Sequence, residues 1–369
     1  MSIRALGIIS ANYEGTGFSQ LTLKRTDATI PFGGRYRMID FALSNMVNSG
    51  ITTVGLITPY YYRSIMDHVG VGKPWGLARK IGGLFVLPGS VLGERSKGSK
   101  VILKDLIRNR RILDSCEAEY VVISDASTIM NLDYQPYIEA HERDGNTVSV
   151  LYKKEEGDQQ AIYFKENKKT GLVNEILFPG QGSGDKRFLG VMIVNRKYLL
   201  DILEWFAAAD NEDIIEIFSH ELKKIRMRAY EVKGYSMVID DLKDFKKANA
   251  DLLDHEVRTE LFEQENYQIF TKVQDEAPTI YKKSASVKKS LVAAGCVIEG
   301  TVENSIIFRS VHIKKGAVVK NAIIMQGSII ETNATVINAV CDKYSHVGRK
   351  AHLEGGTDLP AVLGKNQIL

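Results

Sequence analysis

With 369 residues, 44% of them apolar and 25% charged, the chain is long enough for two or three domains of about 150 residues and able to bury a core. Its 48 Lys and Arg against 45 Asp and Glu leave a net charge of +3, which argues against nucleic-acid and membrane partners, so any anion site must be local. Three widely spaced cysteines, Cys116, Cys296 and Cys341, exclude a disulfide framework and a Cys-x-x-Cys knuckle. With no signal-like start and no apolar run of about 18 residues, they place the expected location in the cytoplasm.

The first element is the apolar run Leu6–Ser10, which reads as a buried strand. The loop after it, "ANYEGTGFSQLTLKRTDATIPFGG" (11–34), carries Gly15 and Gly17 and closes in a tight Pro31-Phe-Gly-Gly34 turn. Tyr36–Asn48 then sets Ile39, Ala42, Leu43, Met46 and Val47 on one helical face, with Gly50 as the stop and Asp40 placed to cap or orient the loop. Thr52–Thr58 and Tyr120–Ser124 are further buried strands, and Thr147–Tyr152, Leu172–Leu177 and Phe188–Val194 continue the series. Strand and helix alternating at this spacing predict βαβ units, hence a Rossmann-like, mostly parallel α/β sheet. Ligands of such sheets lie at the carboxyl ends of the strands, where residues 11–34, 125–133 and 178–187 fall.

The pattern changes near residue 255. Residues 256–280 are polar and mixed, suiting a helix end and connector between an α/β domain at 1–255 and a second domain at 281–369. In the second domain a period of six emerges. Ile307, Ile313, Val319 and Met325 form one register, and Val318, Ile324, Ile330 and Val336 another. Ser310, Gly316, Ala322, Ser328 and Ala334 form a third, of small residues only. Aliphatics every six residues, with small residues at a fixed offset, predict a short left-handed hexapeptide β-helix docked on the first domain. Ordinary strands would give period two and no small register.

Five segments then become informative together: "LTLKR" (21–25), "PFGGRYRMIDFALSN" (31–45), "NSGI" (48–51), "AEYVVIS" (118–124) and "ANADLL" (248–253). They resemble the bacterial ADP-glucose pyrophosphorylases, or glucose-1-phosphate adenylyltransferases, over nearly the whole chain. The resemblance implies a reaction in which glucose 1-phosphate attacks the α-phosphorus of ATP and pyrophosphate leaves. Such transfer rests on positioning, Mg²⁺ and cations that absorb charge on the leaving group.

Set against the family pattern, the working positions are altered. Gly17 stands where the family's glycine-rich loop ends in arginine, and Asn12-Tyr13 where it has two glycines that let backbone approach phosphate. Asp27 replaces a lysine, and a carboxylate about 4 Å from a phosphate is repelled by several kcal/mol at an effective dielectric near 20. Ser127 matches the first metal aspartate, Phe178 the glucose-phosphate lysine and Val238 the second metal aspartate. Asp125, Asp240 and Asp241 lie close enough in sequence to serve as shifted ligands. The adenine-side motif survives only as Gly98-Ser-Lys-Val-Ile102.

Each lost preorganised group costs about 3–4 kcal/mol of transition-state stabilisation, and such terms are not additive. The resemblance therefore implies a regulatory, catalytically degenerate subunit of the D type used in glycogen biosynthesis. It would need no cofactor itself. Its implied partner is a catalytic subunit that uses Mg²⁺, in a hetero-tetramer. The alternative is an active nucleotidyltransferase using the shifted carboxylates.

Lys24, Arg25 and Arg37 match family positions associated with an anionic sugar-phosphate or nucleotide effector, and the same residues would serve equally as solvated charges or helix-end partners. Arg79, Lys80 and Lys97 read as solvated loop charges. The seven histidines show no metal-ligand spacing, and His312, on a predicted coil, lacks the context of an acyltransferase base. Tyr13, Phe178 and Phe188 are candidates for an apolar plug in the vestigial cleft.

Overall fold

The computed structural model describes residues 5–13, 17–59, 62–90, 100–208, 212–356 and 359–369. Gly15, Lys97, Gly98 and Ser99 lie outside the described residues.

The strands predicted from continuous apolar runs form the middle of a nine-stranded sheet. Ala5–Ser10 pairs in parallel with Thr53–Thr58 on one side and Tyr120–Asp125 on the other, and Gly83–Pro88 extends the parallel half. Lys186–Asn195 runs antiparallel to Tyr120–Asp125 and to Val148–Lys154, so the sheet is parallel from Tyr120–Asp125 to Gly83–Pro88 and mixed beyond it. Val173–Leu177 and Tyr163–Glu166 form its far edge.

The register of Lys186–Asn195 shifts between Phe188 and Met192. Gly190 lies in that bulge at φ +71°, and a Cβ there would sit 2.0 Å from Asp125 Oδ2. The bulge thus gives the Asp125 carboxylate its space.

Pro31–Phe32 and Tyr36–Arg37 pair as a small hairpin, with Gly33 and Gly34 at positive φ supplying the tight turn. The helix begins at Met38 rather than Tyr36 and runs to Asn48. Ile39, Ala42, Leu43 and Met46 pack on the sheet, as the period predicts. The opposite face is also buried, because Met38 and Phe41 enter a second cluster that joins the two domains. That seam sets Phe18, Leu21, Phe32 and Leu252 against Ile306, Phe308, Ile323 and Met325.

The second domain consists of three parallel five-stranded sheets, the faces of a hexapeptide β-helix. Its pairings, Ile307 with Ile324 and Cys341, and Val302 with Val319 and Val336, show a coil of 17 residues rather than 18. One face of each of these coils is therefore a residue short, and the preceding coil is shorter still, with Val287 paired to Val302. Asn304, Asn321 and Asn338 take left-handed φ at the shortened corner, a conformation that asparagine tolerates.

This overturns part of the predicted registers. The inward column is Ile307, Ile313 and Val319, followed after a five-residue step by Ile324, Ile330 and Val336. Met325 is buried in the domain seam instead, and Val318 is half-buried on the outside of its strand. The small register splits likewise: Ser310 and Gly316 are left-handed corners, whereas Ala322, Ser328 and Ala334 are buried residues.

Candidate functional site

At the carboxyl ends of Ala5–Ser10 and Tyr120–Asp125 lies a cleft of about 480 Å³. Tyr13, Phe178 and Phe188 all line it, but as walls rather than a plug, since the volume remains open. Phe188 is held edge-on to Phe164, with ring centroids 5.4 Å apart. Val238, on the strand Ser236–Val238 that pairs with Thr128–Met130, presents a methyl-bearing wall.

The charged lining is unbalanced. Five carboxylates, Asp27, Asp125, Asp213, Glu216 and Asp240, face the cleft with two cations, Lys100 and Arg187. Both cations are engaged. Lys100 Nζ donates to Ser127 Oγ at 2.5 Å and to Asp240 Oδ1 at 2.7 Å, and lies 3.5 Å from Asp125 Oδ2. Burial alone would lower the lysine's pKa, but Asp125 and Asp240 more than offset it, and the net shift is upward. Arg187 is buried among Glu155 at 3.3 Å, Asp158 at 3.1 Å and Asp240 at 3.5 Å. The same two cations hold Asp240 ionised, below the usual carboxylate range, against the opposing effect of its burial. Burial, reinforced by Asp125 and Asp27, raises the Tyr13 phenol and keeps it neutral.

Local structure gives each of the positions expected to be altered a packing or hydrogen-bonding place. Asn12 turns its amide away to Asp105 Oδ2 at 2.6 Å and the Ser90 carbonyl at 3.3 Å, tethering the loop at 89–90. Gly17 bridges to Asp241, and Leu242 N donates to its carbonyl at 3.2 Å. A Cβ on Gly17 would stand 2.4 Å from the Cβ of Asp241, so this position has no room for a side chain. Asp241 itself caps the helix Leu242–Asp251 by accepting from Asp244 N at 2.8 Å. Asp125 accepts from Ser127 N at 3.0 Å, and Ser127 is fully buried. Of the three shifted carboxylates, Asp125 and Asp240 line the cleft, and Asp241 is spent on the helix cap.

Lys24, Arg25 and Arg37 do not converge. Lys24 is exposed. Arg25 is buried and crosses the domain junction to Asp342 Oδ2 at 2.6 Å. Arg37 donates to the Ser64 carbonyl and hydroxyl at 2.9 and 3.1 Å, while its own N–H donates to Asp40 Oδ2 in a capping box. Asp40 also holds the buried His68.

Arg37 borders a small pocket of about 40 Å³ at the domain junction, lined by Arg35, Lys272, Arg309 and Lys343 as well, with no Asp or Glu in the lining. Burial, with repulsion from Arg37 and Arg25, brings Lys343 down to about 7. Sequence reasoning missed this pocket and the cleft cations. Lys100 stands in the "GSKVI" segment, where a lysine before an apolar pair was the available signal.

Among the described residues, no group of His, Cys, Asp or Glu is arranged to hold a metal ion, and no helix is long and apolar enough to cross a membrane. His312 is exposed, and Cys116, Cys296 and Cys341 are free thiols.

Comparison with known proteins agrees with both halves of the architecture. Residues 6–163 match the nucleotidyl transferase family, and residues 275–359 match the family described as GlmU-like, C-terminal hexapeptide. The chain is 33% identical to the glycogen biosynthesis protein GlgD of Bacillus subtilis (strain 168), over 98% of this chain and 96% of that protein. It is 34% identical to GlgD of Geobacillus stearothermophilus over 86% of this chain and 84% of that one. The glucose-1-phosphate adenylyltransferase of Geobacillus stearothermophilus is 31% identical over the same shares, 86% and 84%.

Proposed function

The chain belongs to the family that joins the GlgD proteins to the glucose-1-phosphate adenylyltransferases, and from that premise we propose that it is a catalytically degenerate regulatory subunit of this enzyme in glycogen biosynthesis. One observation carries the reading. The cleft where phosphates would be handled is lined by five carboxylates, and its two cations are already committed, Lys100 to Asp125 and Asp240 and Arg187 to Asp240, Asp158 and Glu155. ATP and glucose 1-phosphate bring several negative charges, and preorganised cations are what such a transfer needs.

The proposed partner is a cytoplasmic catalytic paralogue with intact motifs, assembled with this chain in a hetero-tetramer. Mg²⁺ serves that partner, not this subunit. Regulation follows if the partner has two quaternary states of different activity and this chain binds one more tightly. The junction pocket with its five cations suits a phosphate-bearing effector, with Arg37 in its lining, Arg25 securing the junction beside it and Lys24 exposed on the same segment.

A second reading, an active nucleotidyltransferase with shifted metal ligands, takes its support from Asp125 and Asp240, which both reach the cleft.

Co-purification with an intact-motif paralogue, followed by ADP-glucose assay of the mixture, tests the proposal. A stable complex whose activity or effector response differs from that of the paralogue alone is expected. Two proteins that elute separately, with unchanged activity on mixing, would refute it.

A further inference from the structure

The family reaction implies a divalent cation, and the two positions where its aspartates are expected hold Ser127 and Val238. The structure shows what stands between the remaining carboxylates. Lys100 Nζ reaches Ser127 Oγ, Asp240 Oδ1 and Asp125 Oδ2 at 2.5, 2.7 and 3.5 Å, three acceptors for the three N–H bonds of an ammonium. Its backbone is fixed on both sides. Lys100 N donates to Asp213 Oδ2 at 2.7 Å, and Ser10 Oγ donates to the Lys100 carbonyl at 2.5 Å.

Mg²⁺ demands oxygen ligands at about 2.0–2.1 Å in near-octahedral array, and an ammonium planted among those oxygens both fills the space and repels the ion. The residues present do not fit a metal. We infer that Lys100 is a resident cation that takes the place of the divalent ion, so that Asp125 and Asp240 are neutralised by the chain itself and the cleft binds no divalent metal. Together with Arg187, 3.5 Å from Asp240, the lysine supplies two positive charges for the two acids without a ligand. The inference concerns the cleft alone and holds whether or not the chain regulates a partner.

Electron paramagnetic resonance with Mn²⁺ as the probe, on the full chain, tests it. Wild type is expected to leave the free Mn²⁺ signal undiminished, and Mn²⁺ to leave its melting temperature unchanged. Lys100→Met, which keeps length but not charge, should melt lower than wild type and bind Mn²⁺ at least about tenfold more tightly. Adding Asp240→Asn should abolish that gain. A wild-type chain that binds one Mn²⁺ and loses it on Asp240→Asn overturns the inference, as does a folded Lys100→Met chain that binds no more Mn²⁺ than wild type. Should Lys100→Met fail to fold, wild type and Asp240→Asn alone still decide. None of these readouts depends on ADP-glucose formation, so failure here is separable from failure of the regulatory role.

Discussion

A glycine where a phosphate-binding arginine is expected invites the idea of repair by one substitution. The contact between Gly17 and Asp241 says otherwise. With a Cβ forced to 2.4 Å from Asp241 Cβ, Gly17→Arg must displace the cap of the helix Leu242–Asp251 before its guanidinium reaches the cleft. Overpacking of this kind costs about 1–3 kcal/mol, so chemical denaturation should show a loss in that range, with no gain of activity. Lys343 offers a second test, through pH. Its folded-state pKa of about 7 lies below the ordinary 10.5, so between these values the folded chain holds fewer protons than the unfolded one. Stability from this residue must then rise with pH across that window, and below it the full cost of the buried charge is present. Thermal melts from pH 7 to 10 should show wild type gaining on Lys343→Met by several degrees, and a flat difference would contradict the shift.

The elements differ in how openly the sequence declares them. Ala5–Ser10, Thr53–Thr58 and Tyr120–Asp125 are buried on both faces, so they appear as continuous apolar runs that local reading detects. The β-helix was legible as a period of six, yet its five-residue corner was not. That step depends on Asn304, Asn321 and Asn338 accepting left-handed backbone, and it moves Met325 from the solenoid interior to the domain seam. The reading of Gly17, Asp27 and Phe178 as altered reaction positions rests on a family pattern. Lys100 and Arg187 could not be read that way, because what defines them is contact with Asp240, Asp125 and Glu155, set by the fold rather than by spacing. The seam gives the element-scale prediction. Arg25→Met leaves Asp342 buried without its partner, a change that costs about 3–5 kcal/mol in such pairs. Limited proteolysis should then cut faster within residues 263–279, between the helix His255–Phe262 and the first coil. An unchanged cleavage rate would mean that the ion pair does not secure the docking.

For the whole molecule, one fold now serves two surfaces of opposite character. The cleft at the sheet is acidic, with both of its cations held by carboxylates, while the junction between the domains gathers cations around a small pocket. On the proposed reading, a nucleotidyltransferase scaffold with this cleft and this seam transmits a signal rather than makes a bond. The most direct measurement is ADP-glucose formation by the purified chain alone, with ATP, glucose 1-phosphate and Mg²⁺ at saturating levels. Turnover indistinguishable from the reaction without protein is expected. A rate in the ordinary enzymatic range, about 1–10³ s⁻¹, would contradict it and return Asp125 and Asp240 to the role of metal ligands.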